Sequence, residues 1–551
     1  MPLPVVVLRR LGSGGRGSVP VSLEDSCCLE LDMDRDMRRH IQHCACACNH
    51  MGYGNFRDFQ ATELPDVAPP LVLPGAPAAV RCNGGVLTPV AAGPPAAKEL
   101  HRDKGEAEIG RRRRWGRRRL GAVAVSLVTL ALCLAAGGLV AGPIFQQEPP
   151  PSSLDSRVAV VRRILSDVPL IDGHNDLPWN VRKFARGQLV GFNLTADLRH
   201  VEPWSRSAWS HTDLPRMRAG MLGAQFWSAY VPCGAQYLDA VQLTLEQIDL
   251  VKRIISLHPQ HLVLATSPKG VLEAHRAGQI ASLVGVEGGH SLGSSLAVLR
   301  TFYSLGARYL TLTHTCHTAW ADCSVADAAG PDPPATAAAP APTPTAGRRR
   351  RPGLTEFGRA VVREMNRLGM MVDLSHASVK TMKDALETSK APVIFSHSSA
   401  YSICNSSRNV PDDVLRLLAD NGGIVMVNFY TYFITCNSTA NISDVIAHIN
   451  HVREVAGIDH VGIGAGYDGI NHTPTGLEDV SRYPYLLAEL LSDPMWTEQD
   501  LKKLAGLNLL RVFREVEEVR DKWQLAAVTP AEDLIPAADL EGHTTCMYLA
   551  S

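Results

Sequence analysis

The chain has 551 residues, 45% of them hydrophobic and 20% charged, with a formal net charge of −1. That composition fits a globular protein with a sizeable core and excludes a chain too polar to fold. A charge this close to zero leaves no footprint for nucleic acid, so partners have to be argued from particular sites.

Residues 1–110 read as a disordered N-terminal region, rich in Pro, Ala and Gly in APPLVLPGAPAAV and VAAGPPAAKEL. Within it CACAC (44–48) lies between His43 and His50, residue types that bind metals, but no second pair follows at zinc-finger spacing. RRRRWGRRRL (111–120) then packs seven arginines ahead of GAVAVSLVTLALCLAAGGLVAGPIF (121–145), which carries no charge. Spanning a bilayer takes about 20 apolar residues, so 120–145 is expected to be a transmembrane signal anchor. A cleaved signal peptide is the alternative, although its apolar region is normally shorter. Arginines before the run put the N-terminus in the cytosol and the rest outside the cell, at the cell membrane. Five Asn-x-Ser/Thr triplets, at Asn193, Asn405, Asn437, Asn441 and Asn471, all follow the span and agree with a glycosylated exterior. The same reading makes Cys233, Cys316, Cys404 and Cys436 candidates for disulfides.

From about residue 155 to 545, short apolar runs alternate with helical patterns. VPLIDGH, ASLVGVEGG, ARYLTLTHT, MMVDLSHAS, APVIFSHSS, GIVMVNFY and DHVGIGAGYDG read as buried strands; AVQLTLEQIDLVKRIISLH and FGRAVVREMNRLG are among the helices between them. With about eight such strands, the expected fold is α/β, a closed (β/α)8 TIM-type barrel rather than an open doubly wound sheet. A Pro/Ala/Arg-rich segment at 327–353 reads as a solvated loop inserted into it.

Barrel enzymes gather their working groups at the C-terminal ends of the strands. Those ends carry His174 and Asp176, Glu287, His314, His376 and His397. His174 and Asp176 are two apart, so on a strand both point to one side. Imidazole with carboxylate suits zinc, and Glu287 can bridge two ions with its two oxygens while His376 and His397 complete the second. Two ions about 3.5–4 Å apart can hold a bridging hydroxide and polarise a carbonyl.

LIDGHNDLPW, GVEGGHSLGSSLAVLRTFYSLGARYLTLTHTC, MMVDLSHAS and APVIFSHSSAYSICNSSRNVPDDVLRLL together resemble the membrane (renal-type) dipeptidases, from about Val168 to Cys546. The resemblance implies hydrolysis of dipeptides at two Zn2+ ions held by His174, Asp176, Glu287, His376 and His397. It implies that His314 steadies the carbonyl oxygen and that Arg408 pairs with the dipeptide's free carboxylate, a task its guanidinium fork suits. It also implies disulfides Cys233–Cys316 and Cys404–Cys436, and a homodimer linked through Cys546.

Two features depart from that family. The chain closes on HTTCMYLAS without an apolar tail, so no glycosylphosphatidylinositol anchor is expected. The family segment Gly-(Gly/Ala)-Asp-(Phe/Tyr)-Asp-Gly, whose first Asp shuttles the proton, reads here GAGYDG, with Gly466 at that position. Asp468 faces the same side of an extended strand but roughly 6.6–6.8 Å further along, and a kink at Gly466 can bring it closer. The expectation is a membrane-associated zinc dipeptidase of reduced activity; the alternative is an impaired ectodomain acting as a binding partner. A dinucleotide loop at GIGAG is disfavoured, because Tyr467 stands where the third glycine belongs.

Overall fold

The computed structural model describes residues 153–328, 353–540 and 542–544. The N-terminal region, the apolar span at 120–145, most of the inserted loop and Cys546 lie outside the described residues. Among the described residues, no helix is long and apolar enough to cross a membrane.

Nine parallel strands form one sheet: β1 (Leu170–Asn175), β2 (Leu222–Tyr230), β3 (Leu262–Leu264), β4 (Ile280–Glu287), β5 (Ala307–Thr311), β6 (Met371–Asp373), β7 (Ile394–Phe395), β8 (Ile424–Val427) and β9 (Val461–Ile463). β1 pairs with both β2 and β9, and β2 pairs along its length with β4, so eight of the strands close into a barrel. β3 stands outside that ring, paired with the first residues of β4.

The strands are shorter than the apolar runs, because their last residues bend into the loops that carry the polar groups. β2 is the strand that hydropathy alone leaves unassigned. Gly223, Gln225 and Ser228 interrupt LGAQFWSAY, yet eight of its nine residues are buried.

Helices cover the ring where the periodicity places them. In Glu356–Leu368, Phe357, Val361, Val362 and Met365 recur at helical spacing and are buried; the Thr355 side chain caps the start, and Gly369 ends it at φ +79°. Inside the ring, Ile171, Phe226, Leu283, Met371 and Ile424 pack against Leu509, Leu510 and Phe513 of the helix Asn508–Leu525. Asn508 and Arg511 of that helix bond to the carbonyls of Val461 and Gly422, at strand starts. The N-terminal end of the barrel is thereby plugged, and the polar residues collect at the other end.

Candidate active site

Glu287, the last residue of β4, is the hub of the site. Its Oε1 lies 3.2 Å from His376 Nε2, 3.5 Å from His397 Nε2 and 3.8 Å from His314 Nε2. Its Oε2 lies 3.5 Å from His174 Nε2 and accepts from Ser228 Oγ at 3.0 Å. Asp176 Oδ2 meets His174 Nε2 at 3.0 Å. Residues spread from 174 to 397 thus converge on one carboxylate, and its two oxygens divide them. His376, His397 and His314 face Oε1 and His174 faces Oε2. His397 also stacks on His174 with ring centroids 3.9 Å apart, so it can share an ion with His174 and Glu287, while Glu287, His314 and His376 form a second candidate group.

Hydrogen bonds behind the imidazoles fix which nitrogen faces inward. The Tyr309 hydroxyl donates to the Gly173 carbonyl, so it accepts from His174 Nδ1 at 3.1 Å and leaves Nε2 turned to the carboxylates. Gly285 makes room for this tyrosine, since a Cβ there would lie 2.0 Å from the Tyr309 ring. Just past β7, Ser396 Oγ donates to Asp373 Oδ2 at 2.6 Å and accepts from His397 Nδ1 at 2.8 Å. Asp172 performs a related task beneath His174, accepting from the amides of His174 and Ala465 and from the Tyr483 hydroxyl. Burial pushes its carboxyl up to about 6 against those bonds. Partners of this kind typically contribute 10–100-fold to metal affinity. Ser396→Ala, which frees the His397 ring to choose the other tautomer, is expected to weaken metal binding by that factor in a chelator competition.

Do these residues fit a metal? Burial, reinforced by the Arg408 charge, holds His376 and His397 well below the usual histidine range. Both are therefore neutral, with lone pairs to offer, and their Nε2 atoms stand 3.1 Å apart. Burial works against charge on His174 too, but Glu287 and Asp176 hold it well above the usual range. One imidazolium does not neutralise two buried carboxylates, and Asp176 Oδ1 is buried with no hydrogen-bond partner among the described residues. The donor set of imidazoles and carboxylates fits divalent cations such as zinc.

His314 packs on His376 and on Tyr230, with centroids 4.3 and 4.8 Å apart, and burial keeps it neutral. Arg408 is buried, its guanidinium 5.3 Å from the Phe433 ring, and its charge acts on His314, His376 and His397. Cys233–Cys316 and Cys404–Cys436 are disulfides, as the resemblance implied. Asn193, Asn405, Asn437 and Asn441 are exposed and Asn471 is half-buried.

The GAGYDG segment is a turn rather than an extended strand. Gly466 and Asp468 both have left-handed backbone, at φ +76° and +65°, which breaks the period-two alternation expected there. The Asp468 carboxylate accepts from Asn180 Nδ2 at 3.2 Å and from the His211 amide at 3.3 Å, partners that belong to neither ligand group. Burial pushes it up to about 7, against bonds to Thr212 and Asn180 and the Arg216 charge. A carboxyl raised in the fold stabilises it below the unfolded value near 4, and that contribution is lost as pH climbs to about 7. Asp468→Asn should remove this dependence, worth on the order of 4 kcal/mol. The check is the difference in unfolding free energy between wild type and variant at about pH 4.5 and 7.5.

A closed barrel whose strand ends gather imidazoles and carboxylates around a central glutamate defines a metal-dependent hydrolase. The chain belongs to the membrane dipeptidase family, peptidase family M19, whose model matches residues 158–527, and is thus a metallopeptidase. It is 50% identical to Dipeptidase 3 of Mus musculus over 359 residues, 65% of this chain and 66% of that protein. Among solved structures it is similar to dipeptidase AC, a metallopeptidase, with 26% identity and a TM-score of 0.53 over 63% of this chain and 98% of that one. It is also similar to a Rhodobacter sphaeroides metallopeptidase liganded with a phosphinate mimic of L-Ala-D-Ala, with 25% identity and a TM-score of 0.52 over 63% and 99%.

Proposed function

We propose that this chain is a binuclear zinc dipeptidase whose turnover is slowed by Gly466. The observation that carries the reading is the convergence of four imidazoles on the two oxygens of Glu287, with Asp176 against His174. His174, Asp176, Glu287, His376 and His397 would hold two zinc ions, which supply water activation and carbonyl polarisation when bound. Arg408 anchors the free carboxylate of the dipeptide, and Phe433 beneath its guanidinium keeps that group in place. His314 Nδ1 accepts a hydrogen bond from the Thr315 hydroxyl, 3.0 Å away, which leaves Nε2–H to face the carbonyl oxygen of the scissile bond. The family's proton carrier is absent at Gly466, and Asp468, tied to Asn180 and His211, does not replace it.

We further infer a membrane-anchored exterior domain, glycosylated at the five asparagine triplets and dimeric through Cys546. Two disulfides suit an oxidising exterior.

The test is metal analysis of the purified protein together with hydrolysis of Gly-D-Phe. We expect two zinc ions per chain and slow hydrolysis that chelation abolishes and zinc restores. Full zinc occupancy without measurable hydrolysis favours the second reading, an impaired ectodomain that binds partners. That reading draws on the absence of any side chain at Gly466.

A further inference from the structure

The turn that carries Gly466 is gripped from outside the metal-ligand cluster, and Asp468 supplies the grip. Asp468 is not glycine, yet it adopts a left-handed conformation that side chains rarely tolerate. Its polar atoms hold it there. Its carboxylate accepts from Asn180 Nδ2 and the His211 amide, its own amide donates to His211 Nδ1 at 3.1 Å, and its carbonyl accepts from Asn180 Nδ2 at 2.9 Å. The segment it grips is itself anchored. Arg216 bonds Asp213 at 2.7 Å and Asp479 at 3.4 Å, and all three residues are buried. Asn175, between the ligands His174 and Asp176, donates to Thr212 Oγ1 at 2.8 Å.

The inner side of the same turn rests against those two ligands. The Gly466 amide donates to the His174 carbonyl at 3.2 Å, and the Asp176 amide donates to the Tyr467 carbonyl at 3.0 Å. A Cβ on Gly469 would lie 2.0 Å from Asp176 Oδ2, so the backbone here is a wall against the carboxylate. Any shift of the turn is therefore felt by Asp176 and His174, to which its backbone is bonded.

We propose that Asp468 is a positioning residue that aligns Asp176 and His174, through the Gly466–Gly469 turn, for one of the two metal ions. The proposal rests on the binuclear reading above. It gives Asp468 no part in proton transfer.

Stepwise affinity for Co2+ and Zn2+ in the full chain tests it, by chelator competition and by the cobalt absorption spectrum. Asp468→Ala is expected to weaken one metal equivalent by about 10–100-fold, leaving the other within about threefold. Asp468→Asn, of the same shape but with one acceptor oxygen in place of two, should weaken that equivalent less than Asp468→Ala does. Wild-type binding of both metals by Asp468→Ala overturns the proposal, as does equal weakening of both, or an asparagine variant as weak as the alanine one. Should Asp468→Ala fail to fold, Gly469→Ala presses on Asp176 with Asp468 intact and must weaken the same equivalent; unchanged affinity there also overturns it. A wild-type chain that takes up no metal refutes the binuclear reading in the first arm, before any variant is compared, and the proposal falls with it.

Discussion

Gly466→Asp is expected to raise dipeptide turnover by about 10²–10⁴-fold, the usual worth of a positioned acid–base group. The site has room for it. A Cβ at Gly466 meets nothing nearer than Ile470 Cγ2 at 3.8 Å, and the Gly466 amide is bonded to the carbonyl of His174. A carboxylate placed here would stand beside the cluster with a proton to carry, which Asp468 does not do from its place against His211.

The cost is conformational. At φ +76° an aspartate pays roughly 1 kcal/mol, less than most residues because Asp visits left-handed backbone comparatively often. A thermal midpoint lower by about 2 °C would accompany the gain in rate. Gly466→Asn has the same shape and the same backbone tolerance but no proton to exchange, and should stay at the wild-type rate. The measurement is kcat for Gly-D-Phe in the three proteins at matched zinc content. Equal rates in all three would show that something other than the missing carboxylate limits the enzyme.

The candidate metal ligands are legible in the sequence because each follows an apolar run, so the strand alternation itself points to His174, Glu287, His376 and His397. What orients them is not. Tyr309 is 135 residues from the histidine it fixes, and no local pattern distinguishes it from any other tyrosine in a strand. Asp373 and Ser396 lie close to ligands in sequence, but only the pairing of β6 with β7 brings the serine to the aspartate. β2 is not legible from hydropathy because Gln225 and Ser228 interrupt it, although eight of its nine residues are buried in the ring. A period of two holds only for extended backbone, and the left-handed Gly466 and Asp468 take Asp468 off the face that alternation assigns it. The glycines of GAGYDG are the local signal of that turn.

Glu287→Gln should separate metal binding from folding more cleanly than any other change at this site. In the metal-free protein Glu287 is a buried carboxyl pushed up by desolvation and by Asp176, while His174 pulls it down. A neutral amide of the same shape removes the burden of burying that charge, still accepts from Ser228, and can donate to the neutral His376 and His397. The metal-free variant should therefore be at least as stable as wild type at neutral pH. With zinc the order reverses. A ligand at about 1,000 times its dissociation constant stabilises the wild-type fold by about 4 kcal/mol. Loss of one unit charge about 4 Å from a cation, at an effective dielectric near 20, removes roughly 4 kcal/mol per unit of cation charge, close to three decades in affinity. At the same zinc concentration the variant's thermal shift should all but vanish. The expected result is two unfolding curves that coincide without metal and separate widely with it. A variant that keeps the wild-type zinc shift would mean that Glu287 bridges nothing, however closely the imidazoles surround it.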